Sequence, residues 1–277
     1  MARILAISSY VAHGHVGLAA IVPTLQRMGH DVVGLPTVVL SSHYGYEPVA
    51  GLELDASDLG AMLEALRENG WLDDLDGVVT GFMADPQSVA VVAAELQRIA
   101  DEHPDVIYLC DPVMGDDPKG LYVPVEVAEA IRDRLVPLAD VLTPNRFELA
   151  WLTGMPVTDP ATADAAADAT GAELVVVTSV PAADGLIGNL MSDEDRALIA
   201  SVPHRRQVPH GTGDLMAALV LGHMIDGLEH ADAVARAAAG VEAVLQESAG
   251  TTEMRLVDAL ERATGADPWP MADIEEA

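Results

Sequence analysis

Short runs rich in Val, Ile and Leu alternate with longer segments whose apolar residues recur at helical spacing, and this alternation restricts the fold more than any other feature of the chain. Residues 3–8, 31–39, 77–80, 106–110, 141–143 and 173–178 are predicted as buried strands, bounded by Gly, Asp or Pro. Residues 16–28, 57–69, 87–101, 125–135 and 161–169 are predicted as helices. Strands separated by a helix pair in parallel, because a parallel partner needs a crossover of roughly a dozen residues or more. A parallel sheet must then be covered on both faces. The expected fold class is α/β: a three-layer sandwich whose mostly parallel central sheet lies between helices.

After Ser179 the pattern changes. Residues 185–191 and 196–202 are predicted as two short strands around the polar turn SDED, and 212–226 and 231–246 as two Ala-rich helices. Neither a low-complexity linker nor a fixed-period repeat divides the chain, so one domain is expected over 1–263, with 264–277 as a loosely attached acidic tail. Half of the residues are hydrophobic, enough for a sizeable core. The 14 Lys and Arg against 44 Asp and Glu give a net charge of −30, with Lys119 the single lysine. Nucleic acid and anionic membranes are therefore poor partners, since both require a basic face. Adaptation to high salt and a GC-rich genome account for the acidity equally well. One cysteine, Cys110, excludes an internal disulfide and a multi-Cys zinc site, which makes a reducing cytoplasm the simplest location. The N-terminus lacks a signal-peptide core, and the apolar run 215–221 is far short of the ~18–20 residues that span a bilayer.

Ligands of open α/β sheets sit beyond the carboxyl ends of the strands, so the residues after each strand carry the functional question. The strongest local pattern is HGTGDLMAA, where Gly211, Thr212, Gly213 and Asp214 run from a turn into a helix. Its backbone N–H groups and the helix terminus could cradle a phosphate, or Asp214 could simply cap the helix. His204, Arg205, Arg206 and His210 form the densest basic cluster just before it; a solvated turn is the plain alternative. In YLCDPVMGD, Asp111 follows a strand, where it could hold a metal or a phosphate-bound water. In ADVLTPNRFE, Asn145 and Glu148 could face a ligand from the first helical turn or form a capping arrangement. Oxygen ligands at two strand ends and a phosphate cradle at a third suit Mg²⁺ and a nucleotide. His13 and His15 lack the further ligands of a zinc site, and SSHYGYEPVAG, with His43, Tyr44 and Tyr46, is either a loop over a site or an ordinary surface loop. No Walker loop is present. Cys110 stands beside a carboxylate, which disfavours its thiolate and a nucleophilic role.

Taken in order, ILAISSYVAHGHVGLAA, LQRMGHDVVGLPTVVLSSHYGY, CDPVMGD, LVPLADVLTPNRFELAWLTG, VVVTS and GTGDLMAALVL resemble the pyridoxal kinase branch of the ribokinase-like superfamily, colinearly from about residue 3 to residue 247. The resemblance implies a ribokinase-like sandwich that phosphorylates the 5′-hydroxymethyl group of pyridoxal, and of pyridoxine or pyridoxamine, with ATP. It also implies Mg²⁺, a monovalent cation such as K⁺ as an assistant, and a homodimer. By position, Asp214 matches the general base, and the backbone from Gly211 through Thr212 and Gly213 to Asp214 the anion hole. Asp111, Asn145 and Glu148 match positions that organise nucleotide phosphates and metal, with Asp111 and Glu148 on the metal side. Thr178, Ser179, Val202, Pro203, His204 and Arg205 match nucleotide-contacting positions. Ser9, His43, Tyr44, Gly45 and Phe82 match the vitamer pocket. The departures fall there: Tyr44 replaces a threonine, Phe82 a frequent tyrosine, and Leu18 with Ala19 a common Asn-Ser pair. Substrate preference is therefore more open than reaction type. Another heteroaromatic alcohol such as hydroxymethylpyrimidine, or mere binding of pyridoxal phosphate, are the alternatives. In a chain of charge −30, His204, Arg205 and Arg206 are expected to reverse the field locally so that anionic ATP can approach.

Overall fold

The apolar alternation in β1 decides which layer each helix joins. Leu5 and Ile7 face one side of the sheet, Ile4 and Ala6 the other, and all four are fully buried. The computed structural model describes residues 1–183 and 185–274. The elements are β1 (Arg3–Val11), α1 (Leu18–Arg27), β2 (Asp31–Leu40), β3 (Gly51–Glu53), α2 (Ala56–Glu68), β4 (Gly77–Thr80), α3 (Pro86–Glu102), β5 (Ile107–Cys110), β6 (Gly115–Asp116) and β7 (Gly120–Leu121). They continue with α4 (Val125–Ala130), β8 (Val141–Leu142), α5 (Arg146–Thr153), α6 (Pro160–Asp168), β9 (Leu174–Pro181), β10 (Leu186–Asp193), β11 (Ala197–Pro203), α7 (Thr212–Ile225), α8 (His230–Glu247), α9 (Leu256–Thr264) and β12 (Ala272–Asp273).

One sheet has the order β12-β11-β10-β9-β8-β5-β4-β1-β2-β3. From β2 to β9 every neighbouring pair is parallel, as the alternation predicted, while β3 and β10 to β12 are antiparallel additions at the two edges. Helices α2 to α6 pack Leu59, Val92, Ile131 and Leu149 on one face. Helices α1, α7, α8 and α9 pack Ile21, Leu219, Val241 and Ala259 on the other. Helix α7 is buried along every residue from Leu215 to His223 because it lies between the sheet and α8. Several helices start where an acid or amide caps them: Asp55, Asp85, Asn145 and Asp159 each accept N–H bonds from the first turn.

Three expectations change. The helix expected over 125–135 is regular only to Ala130 and widens into a π-helical turn, Ile131–Leu135. Helix α9 and the short strands β3, β6, β7 and β12 lie outside the predicted elements. The tail is not loosely attached over its described part: the Trp269 indole donates to the Ser201 carbonyl at 2.9 Å, and β12 pairs with β11. The Trp269 ring and Met271 pack against the core beneath α8, which the two prolines of DPWP concealed.

Candidate active site

Parallel strands deliver their carboxyl ends to one edge of the sheet, and the residues after β1, β4, β5, β8 and β9 meet there. Two glycines bring the backbone of that edge into contact with the α7 turn. Gly17 has φ +54°, and a Cβ there would lie 2.2 Å from the Ser9 carbonyl oxygen. Gly211 has φ +97°, and a Cβ would lie 1.8 Å from the His15 carbonyl oxygen. Both positions need glycine for conformation and for space. Gly211, not Asp214, is the helix cap, and it supplies no side-chain bond. The Asp214 carboxylate instead accepts from the Gly17 N–H and from its own N–H. The reading of Asp214 as a simple cap is thus replaced by a partly buried carboxylate held across from β1.

Three acids share the pocket. Asp111 is 6% exposed and Glu148 3%. Burial, then the charges of Glu148 and Asp214, push the Asp111 carboxyl well above its ordinary range. Burial lifts Glu148 to about 7 and Asp214 to about 6, in each case against backbone N–H bonds that favour the anion. Asn145 and Glu148 do form a capping box, and it is tied to the turn after β5. Glu148 Oε1 accepts from Met114 N–H at 2.8 Å and Gly115 N–H at 3.3 Å, Oε2 from Asn145 N–H at 2.9 Å, and Asn145 Nδ2 donates to the Gly115 carbonyl at 2.8 Å. The capping reading of this pair therefore holds. Val113 in that turn has φ +42° and Ser179 has φ +62°, strained values for side-chain-bearing residues at two strand ends. Thr178 bridges to Asn145 and donates its N–H to Pro144.

Among the described residues, no group of three His, Cys, Asp or Glu forms a ready metal cage. Mg²⁺ does not require one, since it takes one or two carboxylates and completes its shell with water and phosphate. Asp111, dehydrated and facing the charges of Glu148 and Asp214, is the kind of oxygen donor a divalent cation takes, so the donor set fits. Asp111 has more of its carboxylate free than Glu148, whose oxygens already accept three N–H bonds.

On the β1–β2–β4 side the wall is aromatic. His43 stacks 4.3 Å from His210 and 4.7 Å from Tyr46, while Tyr44 lies 6.1 Å from Phe82. Gly45 N–H donates to His43 Nδ1 at 3.0 Å, which leaves Nε2 as the protonated nitrogen of the neutral ring. Burial, then His210 and Lys119, keep the His43 pKa below its usual value against the pull of Glu253. The Tyr44 hydroxyl donates to Glu53 Oε1 at 2.9 Å, and that of Tyr46 to Glu253. Ser9 is buried at the end of β1 against Gly17.

The β8–β9–β11 side is lined by backbone. Strand β11 runs in the same direction as β9, so Val202, Pro203 and His204 reach the same edge as Thr178 and Ser179. The expected field reversal is weaker than the sequence implied, because Arg205 is paired with Glu242. Sequence reasoning also passed over four residues. Gly17 holds Asp214, Lys119 acts on His43 and His210, and Glu253 closes on Tyr46. Tyr122 is half exposed, and its pKa is raised by desolvation and then by the charges of Glu148, Asp111, Asp214 and Asp116. Only Lys119 carried a signal, as the single lysine. A cavity of about 750 Å³ opens at the opposite ends of the strands, lined by Asp31, Asp76 and Asp105 with Arg3, and is remote from this chemistry.

The architecture is that of the ribokinase-like α/β proteins, as expected. Residues 24–256 match the family model described as phosphomethylpyrimidine kinase. The chain is 38% identical to the pyridoxal kinase PdxY of Rubrobacter xylanophilus, over 94% of this chain and 92% of that protein. It is 34% identical to the pyridoxal kinase PdxY of Corynebacterium diphtheriae, over 94% of each. The pyridoxal kinase of Leishmania donovani in complex with ADP and pyridoxamine superposes with a TM-score of 0.92 at 31% identity, covering 98% of this chain and 99% of that one. The chain belongs to the phosphomethylpyrimidine kinase family, and within it to the pyridoxal kinases.

Proposed function

We propose that this protein transfers the γ-phosphoryl group of ATP to the 5′-hydroxymethyl group of pyridoxal, and of pyridoxine and pyridoxamine. The observation that carries the reading is Asp214: a partly buried carboxylate whose pKa desolvation raises to about 6, oriented by the Gly17 N–H, in the first turn after a glycine cap. Near neutral pH it is mostly ionised yet still a useful proton acceptor, the poise a general base needs. Its carboxylate accepts the substrate hydroxyl proton as that oxygen attacks phosphorus. The N–H groups of Gly211, Thr212, Gly213 and Asp214 offer donors, at the positive end of α7, for charge on the transferring group.

The difference between the two walls supports a division between the two substrates. The planar vitamer ring belongs among Ser9, His43, Tyr44, Gly45 and Phe82, where aromatic faces stack and His43 Nε2–H can donate. ATP belongs on the β8–β9–β11 side, along Asn145, Thr178, Ser179, Val202, Pro203 and His204, because the aromatic wall closes the other direction. Asp111 and Glu148, Glu148 by way of water, would hold Mg²⁺, which supplies charge neutralisation for the phosphates. A monovalent cation such as K⁺, a homodimer and a cytoplasmic location complete the proposal. No helix of the described residues is long and apolar enough to cross a membrane.

Incubation with ATP, Mg²⁺ and each B6 vitamer over a range of salt, followed by mass spectrometry, tests the reading. A phosphorylated vitamer with stoichiometric ADP is expected; no product from any vitamer would sink it. One observation favours hydroxymethylpyrimidine as a further acceptor: with its hydroxyl engaged by Glu53, Tyr44 presents a face rather than a hydrogen bond to the ring. Competition between the two alcohols measures that preference, and Tyr44→Thr is expected to shift it towards pyridoxal.

A further inference from the structure

Glu242 sits on the inner side of α8 and is 2% exposed, a carboxylate among alanines and valines. Such a group needs a partner, and Arg205 supplies a forked one: Nη1 donates to Oε1 at 2.6 Å and Nη2 to Oε2 at 2.7 Å. Nη1 also reaches back to the Pro203 carbonyl at 3.4 Å, which folds the side chain over its own backbone. The place of this fork in the chain gives it a role. The connection from β11 to the α7 turn begins where His204 N–H donates to the Gly185 carbonyl at 3.0 Å, and ends where Gly211 presses on His15. Between these two points, among the described residues, Arg205 makes the only hydrogen bonds; the other tie is the ring of His210 against His43. Helix α8 packs against α7, so the fork references the connection to the same body that carries Asp214.

We propose that Glu242 is a positioning residue for the nucleotide: through Arg205 it holds residues 203–206 as the wall along which ATP lies. The inference rests on the kinase reading for the identity of the ligand. Arg205 then serves the site by bracing its backbone, with its charge neutralised, and does not contact phosphate. A guanidinium fork matters here because its planar geometry fixes direction as well as distance, which a lysine cannot reproduce.

The test is calorimetric binding of Mg²⁺ with a non-hydrolysable ATP analogue, alongside steady-state kinetics, in the full chain. Glu242→Gln and Arg205→Met are each expected to weaken the analogue by about tenfold, and to raise KM for ATP equally, with kcat and the vitamer KM within about twofold. The double variant R205M/E242L, which leaves no buried charge alone, is expected to lose about as much affinity as either single one and no more, and it carries the test if R205M does not fold. Arg205→Lys is expected to recover only part of the affinity. Loss in R205M with wild-type affinity in E242Q would overturn the proposal, since Arg205 would then touch the nucleotide itself. Unchanged affinity in R205M/E242L, or a fall in kcat at constant KM, would overturn it as well. Analogue binding is read without turnover, so absence of vitamer phosphorylation would defeat the functional reading while leaving this result interpretable.

Discussion

On the proposed reading, the feature that suits Asp214 to act as a base costs the unliganded protein stability, and Asp214→Asn should expose both sides of that trade. Burial raises its carboxyl from 3.8 to about 6. Between these values the folded protein binds more protons than the unfolded chain, so stability falls as pH rises through that window. Above pH 7 the full penalty of about 2 pH units is present, roughly 3 kcal/mol at 1.36 kcal/mol per unit. At pH 5 only about half of it has developed, roughly 1.5 kcal/mol. Asparagine does not titrate and removes the penalty. With an unfolding entropy near 2.1 cal/mol/K per residue, a chain of 277 residues converts ~3 kcal/mol into about 5 °C and ~1.5 kcal/mol into about 3 °C.

Scanning calorimetry of both proteins in EDTA at pH 8 and pH 5 should therefore show D214N gaining on wild type as pH rises, by about 2–3 °C between the two conditions. Relief of the repulsion on Asp111 adds in the same direction. The same substitution should lower kcat by ~10²- to 10⁴-fold. Wild-type kcat/KM should fall on the acid side of about pH 6, where the base of the free enzyme protonates. A melting difference that does not vary with pH, or that shrinks towards pH 8, would refute the buried-base argument even if activity were lost. Full turnover in D214N would refute the catalytic assignment outright.

Gly211→Ala places a methyl 1.8 Å from the His15 carbonyl at φ +97°; kcat should drop by at least ~10²-fold and stability by roughly 1–3 kcal/mol, and wild-type values for both would show that the turn is not held as described. Cys110 is fully buried with its thiol pushed up to about 12; iodoacetamide at pH 8 should label it only in denaturant, and prompt labelling of the native protein would contradict the burial. Moderate salt should first improve the apparent affinity for ATP, by screening the field of a −30 protein, before specific contacts weaken; a monotonic loss from the lowest salt upward would count against steering as the limiting factor.

What could be read from the sequence was what repeats locally. Short apolar runs and period-3.6 segments gave the parallel sheet, its two covers and the antiparallel pair around SDED, while strand ends pointed to Asp111 and Asn145 and the glycine turn to Asp214. Elements of two or three residues, such as β6 and β12, are too short to show a period, and the docked tail depends on one indole meeting a carbonyl 68 residues away. The site's supporting contacts were hidden for the same reason. Tyr46 meets Glu253 across 207 residues, and Arg205 meets Glu242 across 37. No spacing rule links such residues; only the fold brings them together.

The charge of −30 gains a different meaning once these contacts are known. Surface acids are cheap in water, but Asp111, Glu148 and Asp214 are dehydrated and face one another. Among the described residues no ion pair joins an arginine to any of the three, and Arg205, one expected source of charge, is committed to Glu242. On the proposed reading, a nucleotide arriving with its cation would satisfy these carboxylates while its phosphates met the N–H groups of the Gly211 turn. Acidity that repels ATP at long range would then select, at short range, the metal-bound form. It follows that free ATP should bind far more weakly than its Mg²⁺ complex, and that Asp111→Asn should narrow the gap between the two. Titration of ATP with and without EDTA into wild type and D111N measures this, and an equal gap in both proteins would refute it.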